Sequence, residues 1–254
     1  MKRTLILITA ILLSASLRAQ DKPQLYNLNL DTWSKSGVTW NPYPKDASAA
    51  RRTWDTANKG MSILGLNAVL PEEEHVAVKG GKAAKLVSKK VFGIFVAGSL
   101  FTGTFEGVVG TSGAKMKFGV PFKARPKSLS GYAHYIPGTV NYAKAPHLSM
   151  KGKTDIGKVD VSLAAWSEPK FINTGKDNFE MDGDPEVIAT DAVYFRKATD
   201  GYVHFEIPIK YRDDRTPNYI VITAASSAFG FCAASPMPML MMTFSSRGIS
   251  ITFL

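Results

Sequence analysis

The chain has 254 residues, 45% of them hydrophobic and 20% charged, and its 31 Lys and Arg outnumber its 21 Asp and Glu for a formal charge of +10. That composition supports a globular core and excludes wholesale disorder, and the length suits one domain of roughly 200–250 residues or two small ones. The 21 Gly and 14 Pro are scattered as punctuation, which favours many short strands over long helices.

Met1-Lys2-Arg3 is a basic start, and Thr4 to Ala15 is an almost wholly apolar run of 12 residues followed by Ser16-Leu17-Arg18-Ala19. Residues 1–19 read as a secretory signal peptide cleaved after Ala19. Cleavage after Ser16, with small Ser14 at −3, is the alternative, and an uncleaved anchor is disfavoured because the run is too short to span comfortably. No Cys follows the apolar run, so a lipid-anchored start is not expected. The reading is of an exported protein, in the periplasm, at the cell surface or outside the cell. Without Lys2, Arg3 and Arg18 the mature chain keeps 28 basic and 21 acidic residues, +7. These charges are spread along the chain, as on a solvated surface; no dense basic tract points to nucleic acid. Cys232 is the single cysteine, so there is no intrachain disulfide.

Residues 20–60 are polar, with Trp33, Trp40, Tyr43 and Trp54 among Asn, Asp, Ser and Pro. Ala47 to Asn58 is the one stretch that predicts a short helix. Strand signals dominate from Met61 on. Ala83 to Ser88 is β-prone. Val91 to Val96 and Ser99 to Phe105 flank a turn at Gly98, and the two glycines in Val91 to Phe101 mark this apolar stretch as strand-turn-strand, not a membrane span. Lys127 to Tyr135 alternates, with Leu129, Gly131, Ala133 and Tyr135 on one side and Ser128, Ser130, Tyr132 and His134 on the other. Lys158 to Trp166 sets Val159, Val161 and Leu163 on one face. Val187 to Phe195 is a further strand. Tyr202 to Ile209 opposes Val203, Phe205, Ile207 and Ile209 to Tyr202, His204 and Glu206, and Asn218 to Ala225 reads as a buried strand. Period-2 runs separated by Gly, Pro and Asp turns predict an all-β antiparallel sandwich or jelly roll. With neither repeat nor linker, residues 20–254 form a single domain in this reading.

Several segments in order resemble one family. They are WDTAN (54–58), GGKAAKLVS (80–88), AGSLFTG (97–103) and FGVPF (118–122) with Arg125-Pro126, Leu129, Gly131-Tyr132 and Pro137-Gly138. PIKYR (208–212), Pro217, Ser226-Ser227 and Phe229-Gly230 complete the series. The chain is similar, over roughly residues 30–230, to the putative carbohydrate metabolism domain family of Bacteroidota. The resemblance implies a jelly roll like those of carbohydrate-binding modules and glucanases, and a carbohydrate as the class of ligand.

Residues 231–254 depart from that family's pattern, which carries a Val-Asp-Asp-Phe-like strand near its end. Here four methionines fall between Met237 and Met242, and Arg247 is the only charged residue after Arg215. The genetic code offers a cause. Read from each codon's third base, Met-Met becomes Asp (GAT) and Met-Thr becomes Asp (GAC), so Pro236 to Phe244 regains an Asp-Asp strand. A frameshift near Phe229–Ala234 is therefore expected, against a naturally divergent strand; a stop codon in the shifted frame ahead of the Asp-Asp strand would retire it.

Sugar recognition needs flat aromatic faces for C–H groups and polar side chains for hydroxyls. Trp33, Trp40, Trp54 and Trp166 are the stacking candidates, each weighed against a packing role. Trp40 leads, because Asn41-Pro42-Tyr43-Pro44 beside it reads as an exposed loop, and Trp54 with Asp55 and Asn58 comes second. The alternative role for Asp55 is to cap a helical turn. Tyr132 with His134, and Tyr202 with His204 and Glu206, each share a strand face that either binds a ligand or simply meets solvent. Glycosidases use two carboxylates about 5–10 Å apart, and no spacing here singles out a pair; Glu206, beside His204, is the candidate acid. Asp177-Asn178 and Asp182-Gly183-Asp184 could offer oxygens to a structural calcium or form a plain acidic turn. No other metal or cofactor is expected. Glu72-Glu73-Glu74 reads as a solvated turn after Pro71. The partner is a polysaccharide or oligosaccharide bound without catalysis; a glycoside hydrolase and a protein-binding adhesin subunit are the alternatives.

Overall fold

The computed structural model describes residues 25–91, 94–110, 113–143, 148–177, 179–228, 232–235 and 238–243. The predicted leader lies outside them.

In chain order the described strands are β1 (Ser34–Ser36), β2 (Thr39–Asn41), β3 (Trp54–Thr56), β4 (Val69–Glu72), β5 (Ala83–Val87), β6 (Lys89–Val91), β7 (Ile94–Val96), β8 (Ser99–Val109), β9 (Gly113–Phe118) and β10 (Val120–Pro121). Then come β11 (Ser128–Ile136), β12 (Thr139–Ala143), β13 (Gly157–Ala164), β14 (Lys170–Asn173), β15 (Val187–Phe195), β16 (Val203–Pro208), β17 (Tyr219–Ala225), β18 (Cys232–Ser235) and β19 (Met239–Thr243). The one described α-helix, α1, spans Asn58–Met61.

Two sheets face each other. The large one runs β14-β9-β8-β17-β13-β15, with β3 added to β8 and β10 to β17; the small one runs β16-β11-β19-β5-β4. The alternation read from the sequence decides which side chains meet between them. Leu100, Val159, Val161, Leu163, Ile220 and Ile222 come from the large sheet. Leu86, Leu129, Ala133, Tyr135, Phe205, Ile207 and Leu240 come from the small one, and all join one buried cluster. This is the face-to-face packing of an antiparallel sandwich, so the predicted fold class holds.

One expectation needs correcting. The helix over Ala47–Asn58 does not form. A 3₁₀ turn covers Ala49–Arg51, Trp54–Thr56 is strand, and α1 only begins at Asn58. Trp54 pairs with Thr102 and Thr56 with Leu100, and the Trp54 side chain is fully buried. Burial and pairing with β8 override the local helical tendency. The tail, for which a frameshift is expected, supplies a core strand. β19 lies between β11 and β5 in the middle of the small sheet, with Leu240 and Met242 fully buried. Met241 between them is buried too, so this strand is covered on both faces, while β18 pairs with β12.

Candidate functional site

The outer face of the small sheet gathers the predicted aromatic and polar residues. Because Leu129, Ala133 and Tyr135 point into the core, Tyr132 and His134 point away from it. The same logic turns His204 and Glu206 outward from β16. The register sets Tyr132 directly opposite His204, with ring centroids 5.3 Å apart and planes at 69°. His134 meets Tyr202 at 5.9 Å and 61°. Both pairs are edge-to-face, the arrangement that ring quadrupoles favour. With Tyr202 just ahead of β16, the four rings form a two-by-two array.

Neighbouring strands extend this face. β19 places Thr243 opposite Tyr132 and Met241 opposite His134, and β5 places Lys85 opposite Met241. Two strand spacings carry the row about 10 Å from His134 to Lys85. Lys85 pairs at 3.0 Å with Glu72, which is buried rather than part of a solvated turn. One Glu72 oxygen accepts the backbone N–H groups of Glu74 (3.0 Å) and His75 (3.3 Å). Burial alone would raise the Glu72 carboxyl, but the Lys85 hydrogen bond and those two N–H groups bring it below the usual carboxylate range. The Tyr202 hydroxyl donates to the His75 carbonyl at 2.8 Å. Burial, reinforced by Glu72, pushes that hydroxyl well above its ordinary pKa, so it stays a neutral donor. Glu72, Glu74 and His75 bring three ligand atoms within 4.8 Å of one another, but both Glu72 oxygens already serve Lys85 and the loop backbone.

Glu206 is exposed and stands on the edge strand β16, opposite Ser130. Among the described residues its paired neighbour, β11, offers it no carboxylate directly across the ladder.

The structure places the other predicted residues differently. Trp54 is fully buried, and its indole N–H donates to the Asn27 carbonyl at 2.9 Å. Asp55 is also buried; it accepts from Lys59 (2.8 Å) and from the Phe105 N–H (2.9 Å), and so ties β3 to β8 instead of capping a helix. Asn58, without exposed surface, bonds backbone groups of Trp40, Ala68 and Val69. Tyr43 is buried and donates to Asn41. These four side chains are withdrawn from any ligand and hold the N-terminal segment on the sandwich. Trp40 is half-buried, facing Lys35 across the β1–β2 hairpin with the ammonium 5.5 Å from its ring. Trp166 is buried and donates to Asp184; the half-buried Trp33 donates to the Leu30 carbonyl.

In the acidic segment considered for calcium, each of the three aspartates has an oxygen bonded to protein. Asp177 accepts the Asn173 N–H, Asp182 pairs with Arg212, and Asp184 holds Lys170 at 2.8 Å. Asn178 lies outside the described residues. Sequence reading missed Lys85, and the buried Met241 and Glu72, in the row beside the rings, because only pairing with β11 through β19 and β5 brings them there.

Comparison with solved structures agrees on the fold. A putative glycoside hydrolase from Bacteroides thetaiotaomicron superimposes with a TM-score of 0.66 at 18% identity, over 89% of this chain and 70% of that one. A putative glycoside hydrolase from Bacteroides vulgatus gives 0.59 at 16% identity, over 84% of this chain and 92% of that one. No curated protein sequence matches. Among the described residues no helix is long and apolar enough to cross a membrane. The family pattern described as putative carbohydrate metabolism domain matches residues 29–236, so the chain belongs to that family.

Proposed function

We propose that this is an exported domain that binds a polysaccharide or oligosaccharide on the outer face of its small sheet. The observation that carries this reading is the array of Tyr132, His134, Tyr202 and His204, four rings brought together by the register of β11 and β16. Ring faces pack against sugar C–H groups, while imidazole nitrogens and the Glu206 carboxylate can bond hydroxyls. Family membership supports a carbohydrate as the ligand class. Binding is preferred over hydrolysis because Glu206 faces Ser130, not a second carboxylate. The basic start and apolar run of residues 1–19 support export.

The test uses the mature chain and a panel of plant, host and microbial polysaccharides, reading retained protein and released oligosaccharide from one sample. Retention without release is expected, with Tyr132→Ala weakening it by about tenfold. Sugar release that disappears in Glu206→Gln would make the protein a glycoside hydrolase instead. Neither signal across the panel would turn the reading to a protein-binding surface subunit. Gln20 is the expected first residue of the exported protein.

A further inference from the structure

The outer face of the large sheet holds a second hollow that the ring array does not touch. It is a cavity of about 370 Å³ over β8 and β9, between the α1 segment and β7. Met61, Phe95, Phe101, Phe105, Val108 and Met116 line it. Phe101 faces outward because its neighbour Leu100 points into the core. Leu64 and Val108, both in the lining, are 45% and 56% exposed, so the hollow opens to solvent through an apolar mouth. Among the described residues, only Ser99 and Thr174 bring side-chain hydroxyls to the wall. A bare sugar ring, with a hydroxyl on most carbons, would be poorly matched there. The volume and lining suit an aryl group or a short acyl chain.

The floor of the hollow continues into polar ground. Phe101 lies opposite Thr223, Thr223 opposite Asp160, and Asp160 opposite Ala192. The adjacent row reads Ser99, Ala225, Lys158, Tyr194. Asp160 accepts the Thr223 hydroxyl at 2.6 Å and pairs with Lys158 at 2.9 Å. Tyr194, 44% exposed, carries Lys158 and Arg196 within 5.8 and 5.2 Å of its ring. Four strands make this strip about 15 Å long, apolar at one end and rich in hydroxyl, carboxylate and ammonium groups with an exposed aromatic ring at the other.

We propose that this strip binds a substituted glycan, with an acyl, alkyl or aryl group in the cavity and the sugar to which it is attached on the Thr223–Asp160–Lys158 ground. The site is separate from the ring array, and its test does not depend on that array.

The probes are octyl β-glucoside below its micelle-forming concentration, methyl β-glucoside and 1-octanol, titrated calorimetrically into the mature protein. Octyl glucoside should saturate one site about a hundredfold more tightly than methyl glucoside, with the negative heat-capacity change of apolar burial. Ala114→Phe, which narrows the cavity, should weaken octyl glucoside at least tenfold. Val108→Asp, at an exposed position, should do the same, and it keeps the test open if the first variant does not fold. Asp160→Asn should weaken octyl glucoside but not 1-octanol. Equal binding of octyl and methyl glucoside, or octyl glucoside binding untouched by both cavity variants, overturns the site. Octanol bound as tightly as octyl glucoside, with no effect of Asp160→Asn, overturns the assignment to a glycan.

Discussion

Asn58 shows how a polar residue can be indispensable without touching a ligand. Its amide N–H₂ donates to the carbonyls of Trp40 (3.0 Å) and Val69 (2.7 Å), and its oxygen accepts the N–H groups of Ala68 (2.9 Å) and Val69 (3.0 Å). Replacing it with Ala strands several buried backbone groups, and one such group already costs about 1–3 kcal/mol. Asn58→Ala should therefore lose about 3 kcal/mol, read as a lower midpoint in urea unfolding. Two buried acids respond to pH with opposite sign. Asp155 has no exposed surface; burial raises its carboxyl, and the Ser227 hydroxyl and Ile156 N–H pull it only partly back. Among the described residues its second oxygen has no partner, and neither does the Tyr135 hydroxyl. An acid held above its unfolded value supplies stability at low pH and loses it as pH rises through the folded value. Glu72, held below, supplies stability above the unfolded value and loses it as pH falls. Asp155→Asn should thus gain on the parent protein as pH rises from about 4 to 8, while the deficit of Glu72→Gln should shrink as pH falls below about 4.5. Melting curves across that range check both, and parallel curves for parent and variants would refute both.

The elements repeat the lesson that local pattern decides a strand and distant pairing decides its neighbour. Gly98 is the sharpest case. A Cβ there would sit 2.4 Å from the Val87 nitrogen and 2.8 Å from the Leu86 carbonyl carbon. Val87 is itself fixed by its bond to the Ala68 carbonyl, and Gly98 accepts from Ser226. Since backbone meets backbone, no rotamer change relieves the clash. Gly98→Ala should cost about 3 kcal/mol or more and lower the melting temperature by about 6–12 °C; an unchanged melt would refute the close approach. From the sequence Gly98 shows only as a turn. Strands β11, β13, β15, β16 and β17 were legible to within a residue or two, because period-2 alternation is written in consecutive residues. Trp54 was not, since its strand exists through Thr102, far along the chain. The site divides in the same way. That Tyr132 and His134 share a face is a local fact, but that His204 lies across from Tyr132 is a fact of register. Trp40, Tyr43 and Asn58 attracted attention as polar-aromatic sequence, yet two of the three are consumed by packing, which composition does not reveal.

At the scale of the molecule, the small sheet is completed by its last described strand. β19 joins β11 and β16 on one side to β5 and β4 on the other, although the match to the family pattern ends at residue 236. It also supplies Met241 to the row between His134 and Lys85, so the ring face and the core share this element. Deleting residues 238–254 would leave β11 and β5 with unpaired edges and uncover the apolar surface packed on Leu240 and Met242. Exposed edges of that kind pair with other chains. The truncated protein should accumulate as aggregate, with no folded monomer on size-exclusion chromatography and no cooperative melt. Met242→Asp, which changes one buried side chain and keeps the backbone, should destabilise in the same direction because it places an unpaired carboxylate in the core. A folded, cooperative monomer from both variants would mean that the small sheet closes without β19, and the ring face would then need to be rebuilt from β11 and β16 alone.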